Sequence, residues 1–317
     1  MKRSHRLLDQ HRRTVQPWLR TAVIAMFGLL MMAAVGCHSD PNIKKRMYLE
    51  SGNRFSAQGK YKEAAIQYAN ALKIDKSFAE AHYQLAKAFL KLDRMNSAYT
   101  ELARTIDLQP DNYPARIDLA GLLLRAGRTD EAKSQADSIV AADPNNPDAH
   151  ALISGIAFRQ GDRGMALSEI HRALELDPRR PAFYEQSALL KSADAADATS
   201  IESELRNAVS LDPNSAGPRL LLAAFMVKGS RWREAEQTAR EAIAADPKSL
   251  VARTALAQIY LRQGDQVNAE LVLRQAAKDL SEDPAGVRVL ADYFDRTGQN
   301  AKARVEFEAL ASSTPAM

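Results

Sequence analysis

One cysteine, Cys37, stands among 317 residues, so a disulfide within the chain is excluded. No two histidines lie four apart with an acidic neighbour, the arrangement by which a helix ligates zinc, and neither Gly-x-Ser-x-Gly nor Gly-x-x-x-x-Gly-Lys-Ser/Thr occurs. A nucleophile with a base held beside it and a phosphate cradle are both missing, and the expectation is a chain with no catalytic residue, no metal and no cofactor. A surplus of positive charge is lacking as well. The net charge of +4 comes from 43 Lys and Arg against 39 Asp and Glu, but Lys2, Arg3, Arg6, Arg12, Arg13 and Arg20 precede Cys37 with Asp9 as the one acid. From Cys37 onward 37 cations face 38 acids. A body so near neutrality has no electrostatic footprint for nucleic acid, and no nucleic-acid partner is expected.

What the front end does contain is a basic head, a break at Pro17 and an apolar run from Thr21 to Gly36, the layout of an export signal. Its 16 residues fall short of the roughly 20 that a bilayer span needs. The run closes on Ala34-Val35-Gly36-Cys37, which resembles the lipobox of bacterial lipoproteins, with Ala34 where that family prefers Leu. The resemblance implies a signal peptide over 1–36, a lipidated Cys37 as the new N-terminus and a short tether over 37–44. Two or three acyl chains at about 0.8 kcal/mol per buried CH₂ suffice for stable attachment. The other reading of Cys37, an inert buried thiol, fits poorly beside a signal core. His38 follows, not the Asp that tends to hold enteric lipoproteins in the inner membrane. The expectation is therefore outer-membrane attachment facing the periplasm, the alternative being an inner-membrane anchor with the same periplasmic body.

From 45 onward the chain repeats every 34 residues. Blocks 79–112, 113–146 and 147–180 abut without a spare residue, and a period of that size signals a solenoid of helix pairs. With Ala79 as position 1, position 8 reads Gly52, Ala86, Ala120, Ser154, Ala188, Ala223, Ala257 and Ala291. Position 20 reads Ala64, Ala98, Ala132, Ala166, then Ile201 after a one-residue slip, then Ala235, Ala269 and Ala303. Small side chains at fixed points on both helices let their backbones approach closely. Position 15 holds Gly59, Gly127, Gly161, Gly264 and Gly298, with Asp93 and the pair Gly229-Ser230 as substitutes. Glycine there accepts the left-handed backbone that ends a helix. Pro144, Pro178, Pro213 and Pro247 stop the second helices. Larger apolar residues at positions 7, 11, 24 and 28, as in Leu85, Phe89, Leu102 and Ile106, give each helix one stripe.

These residues, with Tyr48, Gly52, Phe55, Ala64, Tyr68 and Ala71 in the first block, resemble the tetratricopeptide repeat. The resemblance implies an all-α solenoid of about eight helix pairs in a right-handed superhelix, with units near 45–78, 79–112, 113–146, 147–180, 181–215, 216–249, 250–283 and 284–317. In two respects the chain departs from the pattern. The fifth unit carries one extra residue and no turn glycine, which leaves open a hinge or an ordinary loop insertion. Position 4, aromatic in the family, is His82, Arg116, His150, Arg219 and Arg253 in many units, and His82 and His150 are read as filling a packing slot.

In that family the first helices line a concave binding face. The resemblance therefore points to a groove with cations at position 13, Lys91, Arg125, Arg159, Lys228, Arg262 and Arg296, beside apolar residues at position 12, Leu90, Leu124, Phe158, Val227 and Leu261. Such a track suits a protein or peptide segment with apolar side chains and carboxylates. The competing account is that a cation near a helix C-terminus simply favours the dipole. The function expected is a membrane-anchored periplasmic scaffold serving an envelope assembly such as exopolysaccharide export, a pilus or outer-membrane biogenesis. A self-assembling structural spacer is the alternative.

Overall fold

The computed structural model of the protein describes residues 40–193, 197–281 and 283–313. Among the described residues there are sixteen α-helices and no strand. They run in pairs: α1 (Pro41–Ala57) and α2 (Tyr61–Ile74), α3 (Ala79–Lys91) and α4 (Met95–Leu108), α5 (Tyr113–Arg125) and α6 (Thr129–Ala142), α7 (Pro147–Gln160) and α8 (Arg163–Leu176). The series continues with α9 (Pro181–Ala193) and α10 (Ala198–Leu211), α11 (Ala216–Lys228) and α12 (Trp232–Ala245), α13 (Leu250–Arg262) and α14 (Gln266–Asp279), α15 (Pro284–Arg296) and α16 (Asn300–Ser313). The chain divides into two compact units between Ala115 and Arg116, inside α5.

Within the first unit α1 to α4, and within the second α6 to α16, every helix packs on the one before it and the one after it. The small residues are what make this possible. All eight position-8 residues are buried, and so are all eight at position 20, including Ile201. A third buried column joins these two: Ala71, Thr105, Ile139, Ala173, Ala208, Ala242 and Ala276, at position 27, are each fully enclosed. In the first unit the core gathers Leu49, Ala64, Tyr68, Ala71, Ala81, Leu85 and Ala88. In the second its largest cluster runs from Ala188 through Leu222 and Leu256 to Phe294 and Ala303. No single pair closes a core by itself, and each stripe is covered by a neighbour.

The turns follow the chemistry expected of them, with one shift. Gly59, Gly127, Gly161, Gly264 and Gly298 all have positive φ, as do Asp93 and Ser230. Gly229 does not; its φ is −83°, so the serine and not the glycine takes the left-handed place. At the far end of the second helices stand Asp75, Asp143, Asp177 and Asp246, all but Asp75 followed by a proline. Their carboxylates accept hydrogen bonds from the backbone N–H two residues on, closing Asx turns. The next helix then starts on a side-chain cap, as at Asn112, Asn146, Ser215 and Ser249.

Three expectations need adjustment or fall elsewhere. Helix α1 begins at Pro41, so 41–44 are helical and not tether; Asp40 caps it, accepting from the Asn42 N–H, with Pro41 in the first turn. The fifth pair shows no loosening between its helices. Phe183, Ser187, Ala188 and Leu190 of α9 are buried, as are Ile201, Leu205 and Ala208 of α10, and Lys191 donates to Glu204 at 2.6 Å and to Ser200 at 3.0 Å across the pair. Its turn residues 194–196 lie outside the described residues. So do Cys37 and the stretch before it expected to be a signal peptide.

Candidate functional site

The twelfth and thirteenth positions fall at the C-terminal ends of the first helices. Lys91, Arg125, Arg159, Lys228, Arg262 and Arg296 are all exposed. None of the six forms an ion pair among the described residues, whereas Arg128, Arg206, Arg231 and Arg274 are each paired with a carboxylate. Leu90, Leu124, Val227 and Leu261 are partly buried, and Phe158 is 40% exposed.

The structure concentrates five of these residues in one place. In the second unit the first helices α9, α11 and α13 touch one another in turn. Between α11 and α13 lies a pocket of about 290 Å³ with Val227, Lys228 and Arg262 in its wall. Between α13 and α15 lies another, about 380 Å³, lined by Leu261, Val289, Tyr293 and Arg296. Gln258 lines both. The result is a run of two apolar-floored pockets, one repeat apart, with three uncompensated cations on the rim. Leu124, Arg125, Phe158 and Arg159 belong to earlier first helices of the same unit, and Leu90 and Lys91 belong to the first unit. Sequence spacing could assign them all to one face, but not say where that face opens into pockets.

The position-4 residues turn out to be a set of clasps. His82 faces Glu101 through Nδ1 and the Lys76 carbonyl through Nε2, the latter at 3.1 Å. His150 repeats this with Glu169 at 2.6 Å and the Pro144 carbonyl at 3.0 Å. Arg116 donates to Gln135 at 2.8 Å. In each case the partner sits 19 residues on, at position 23 of the second helix. Arg253 reaches further along, to Asp279 at 2.9 Å, and also donates to the Pro247 carbonyl. The histidines thus tie a second helix to the loop that precedes their own first helix, a packing role realised through polar bonds.

A charge network lies in the second unit, where Arg231 bridges Glu202 of α10 and Glu234 of α12. Hydrogen bonds from Arg231 outweigh the burial that opposes them, and with Arg206 adding to the effect they hold the Glu202 carboxyl down at about 2. Among the described residues no group of three His, Cys, Asp or Glu is placed to hold a metal ion. No described helix is long and apolar enough to cross a membrane.

Family models described as tetratricopeptide repeat match residues 96–156 and 189–259 and 79–112; one described as TPR repeat matches 52–93. Together they take in over half of the chain. No curated protein matches it in sequence. Among solved structures, Cut9 with Hcn1 from the APC/C is similar over 74% of this chain at 17% identity and a TM-score of 0.57, and this chain spans 46% of that one. The human IFIT1 dimer with m7Gppp-AAAA is similar over 80% of this chain and 68% of its own, at 16% identity and a TM-score of 0.57. Pseudomonas aeruginosa PilF is covered over its whole length by 71% of this chain, at 16% identity and a TM-score of 0.51. At such identities the likeness is one of fold.

Proposed function

The chain is built of tetratricopeptide repeats, and we propose that it is a non-catalytic scaffold that holds a protein partner along its first-helix face. The pair of adjoining pockets over α11, α13 and α15 carries this reading, because apolar floors next to unpaired Lys228, Arg262 and Arg296 suit a segment with apolar and acidic side chains. The capped RNA named with human IFIT1 belongs to that protein; 37 cations against 38 acids from Cys37 onward give this chain little to draw a polyanion.

The same proposal places the scaffold at a bacterial envelope, as a lipoprotein of the outer membrane facing the periplasm. It rests on the basic head, the apolar run and Ala34-Val35-Gly36-Cys37, with His38 in place of an inner-membrane Asp. An envelope assembly such as exopolysaccharide export, a pilus or outer-membrane biogenesis is the setting this implies. The self-assembling spacer is the second reading; light scattering that shows a monomer at micromolar concentration removes it.

Crosslinking in intact cells tests the scaffold. The wild type is expected to capture a discrete partner, and the triple reversal Arg125→Glu, Arg159→Glu and Arg262→Glu to lose it. Unchanged capture at moderate salt overturns the groove. Metabolic palmitate labelling tests the anchor: Cys37→Ser is expected to abolish both the label and recovery with membranes, and a wild-type chain that takes up no label rejects it.

A further inference from the structure

A different cleft, on the side of the second helices, holds an arginine whose partner is missing. Arg219 occupies position 4 of α11, where His82, Arg116 and His150 find Glu101, Gln135 and Glu169 at position 23. Its own position-23 residue is Thr238, and that hydroxyl donates to Met226 Sδ at 3.4 Å instead. Arg253, one repeat later, pairs with Asp279 through Nη2, although its Nε too is buried with no acceptor. Arg219 has no carboxylate among the described residues. Nη1 donates to the Ser215 carbonyl of its own helix start, and Nε is buried with no acceptor. Leaving such a group unbonded is unfavourable.

Arg219 lines an open cleft of about 470 Å³. Its walls are the second helices α10 and α12, and Val209, Leu222 and Met226 make its floor apolar. The charges on the rim set the ligand's sign and size. Arg206 is bonded to Glu202 and Glu234 to Arg231, which leaves Arg219 and Arg233 against Glu241. One surplus positive charge is neutralised in full by a monoanion.

We propose that this cleft binds a small organic carboxylate with an apolar body, its oxygens supplying to Arg219 the acceptor that Glu or Gln supplies in the other repeats. A guanidinium meets a carboxylate through two parallel N–H bonds, and Leu222, Val209 and Met226 receive the rest of the molecule. The site is independent of the groove over α11, α13 and α15, which lies on the first-helix side.

Phenylacetate is a suitable probe, with phenylacetamide as its uncharged isostere, followed by NMR of the full chain carrying ¹³C-methyl methionine. Phenylacetate is expected to shift the Met226 methyl signal saturably, phenylacetamide not to. Arg219→Gln weakens the response about tenfold or more, the loss of a charge-assisted bond. Thr238→Glu installs the missing internal partner and is expected to abolish it while raising Tm. Equal binding of the amide, or a response unchanged in R219Q or in T238E, overturns the proposal. The triple reversal at Arg125, Arg159 and Arg262 is expected to keep the phenylacetate response; its loss there means the acid sits in the groove, which rejects this cleft and leaves the scaffold reading standing.

Discussion

Gly52 lies against the ring of Tyr68 so closely that a Cβ added at Gly52 would meet the ring's Cε1 at 2.4 Å. Tyr68 is 1% exposed and its hydroxyl donates to Asn53 at 2.8 Å, so the ring has nowhere to retreat. The other repeats use Ala or Ser at this position, and only here does the second helix carry a tyrosine opposite. Gly52→Ala is expected to destabilise the protein by about 2 kcal/mol, the scale of overpacking in a filled core. Tyr68→Leu in the same chain should recover part of that loss, since the next repeat holds Ala86 and Leu102, both buried, at the same two positions; a double-mutant cycle by chemical denaturation measures the coupling. Additive losses refute the packing account.

Two turns carry a left-handed residue that is not glycine. Ser230 has φ 58° and Asp93 φ 57°, a backbone region that disfavours a Cβ, with Asp among the side chains that tolerate it best. Ser230→Gly is expected to stabilise by roughly 0.5–1 kcal/mol and Asp93→Gly by less, the added freedom of the unfolded chain offsetting part of each gain. Urea midpoints check the order.

The acid limb of the stability curve should feel Glu202. Its pKa is lowered from 4.5 to about 2 by the hydrogen bonds from Arg231, with Arg206 adding to them. A carboxyl depressed on folding binds fewer protons in the native state, so its contribution is present above about 4.5 and fades as pH falls toward 2. Glu202→Gln is expected to lower Tm at pH 7 and to flatten its fall between pH 4.5 and 2. Parallel wild-type and variant profiles across that window contradict the assignment.

Two histidine–glutamate pairs offer an internal contrast. His82 and Glu101 have side chains 12% and 21% exposed, His171 and Glu175 76% and 50%. His82→Ala leaves a half-buried carboxylate without its partner and is expected to be destabilising by about 1–3 kcal/mol. His171→Ala should change stability by less than about 0.5 kcal/mol. Equal effects of the two changes would sink the clasp.

Most of the fold could be read from spacing because a repeat states each packing rule many times over. Ala86, Ala120 and Ala257 at one position, with Ala98, Ala132 and Ala269 at its counterpart, identify the helix contact before any coordinate is known. The column from Ala71 to Ala276 is less regular in sequence, because Thr105 and Ile139 interrupt its alanines. Asp40-Pro41 is a legible helix start, a capping carboxylate followed by proline in the first turn. Other features were beyond reach. That His82 meets Glu101 depends on how two helices face each other, and that Arg219 lacks such a partner shows only when the clasps are compared. The groove cations were legible as a row, while their gathering around Gln258 depends on how α11, α13 and α15 lean together.

The buried residues at positions 8, 20 and 27, mostly alanine, recur every 34 residues but for the one-residue slip in the fifth unit, and each helix pair offers its successor the same seat that it took from its predecessor. Excising 34 residues between equivalent points, such as 250–283, would set α15 on the seat α13 vacates, with Ala291 arriving where Ala257 had been. Length in this molecule is therefore quantised, and a genetic duplication or loss of one whole module can lengthen or shorten its reach without redesigning a core.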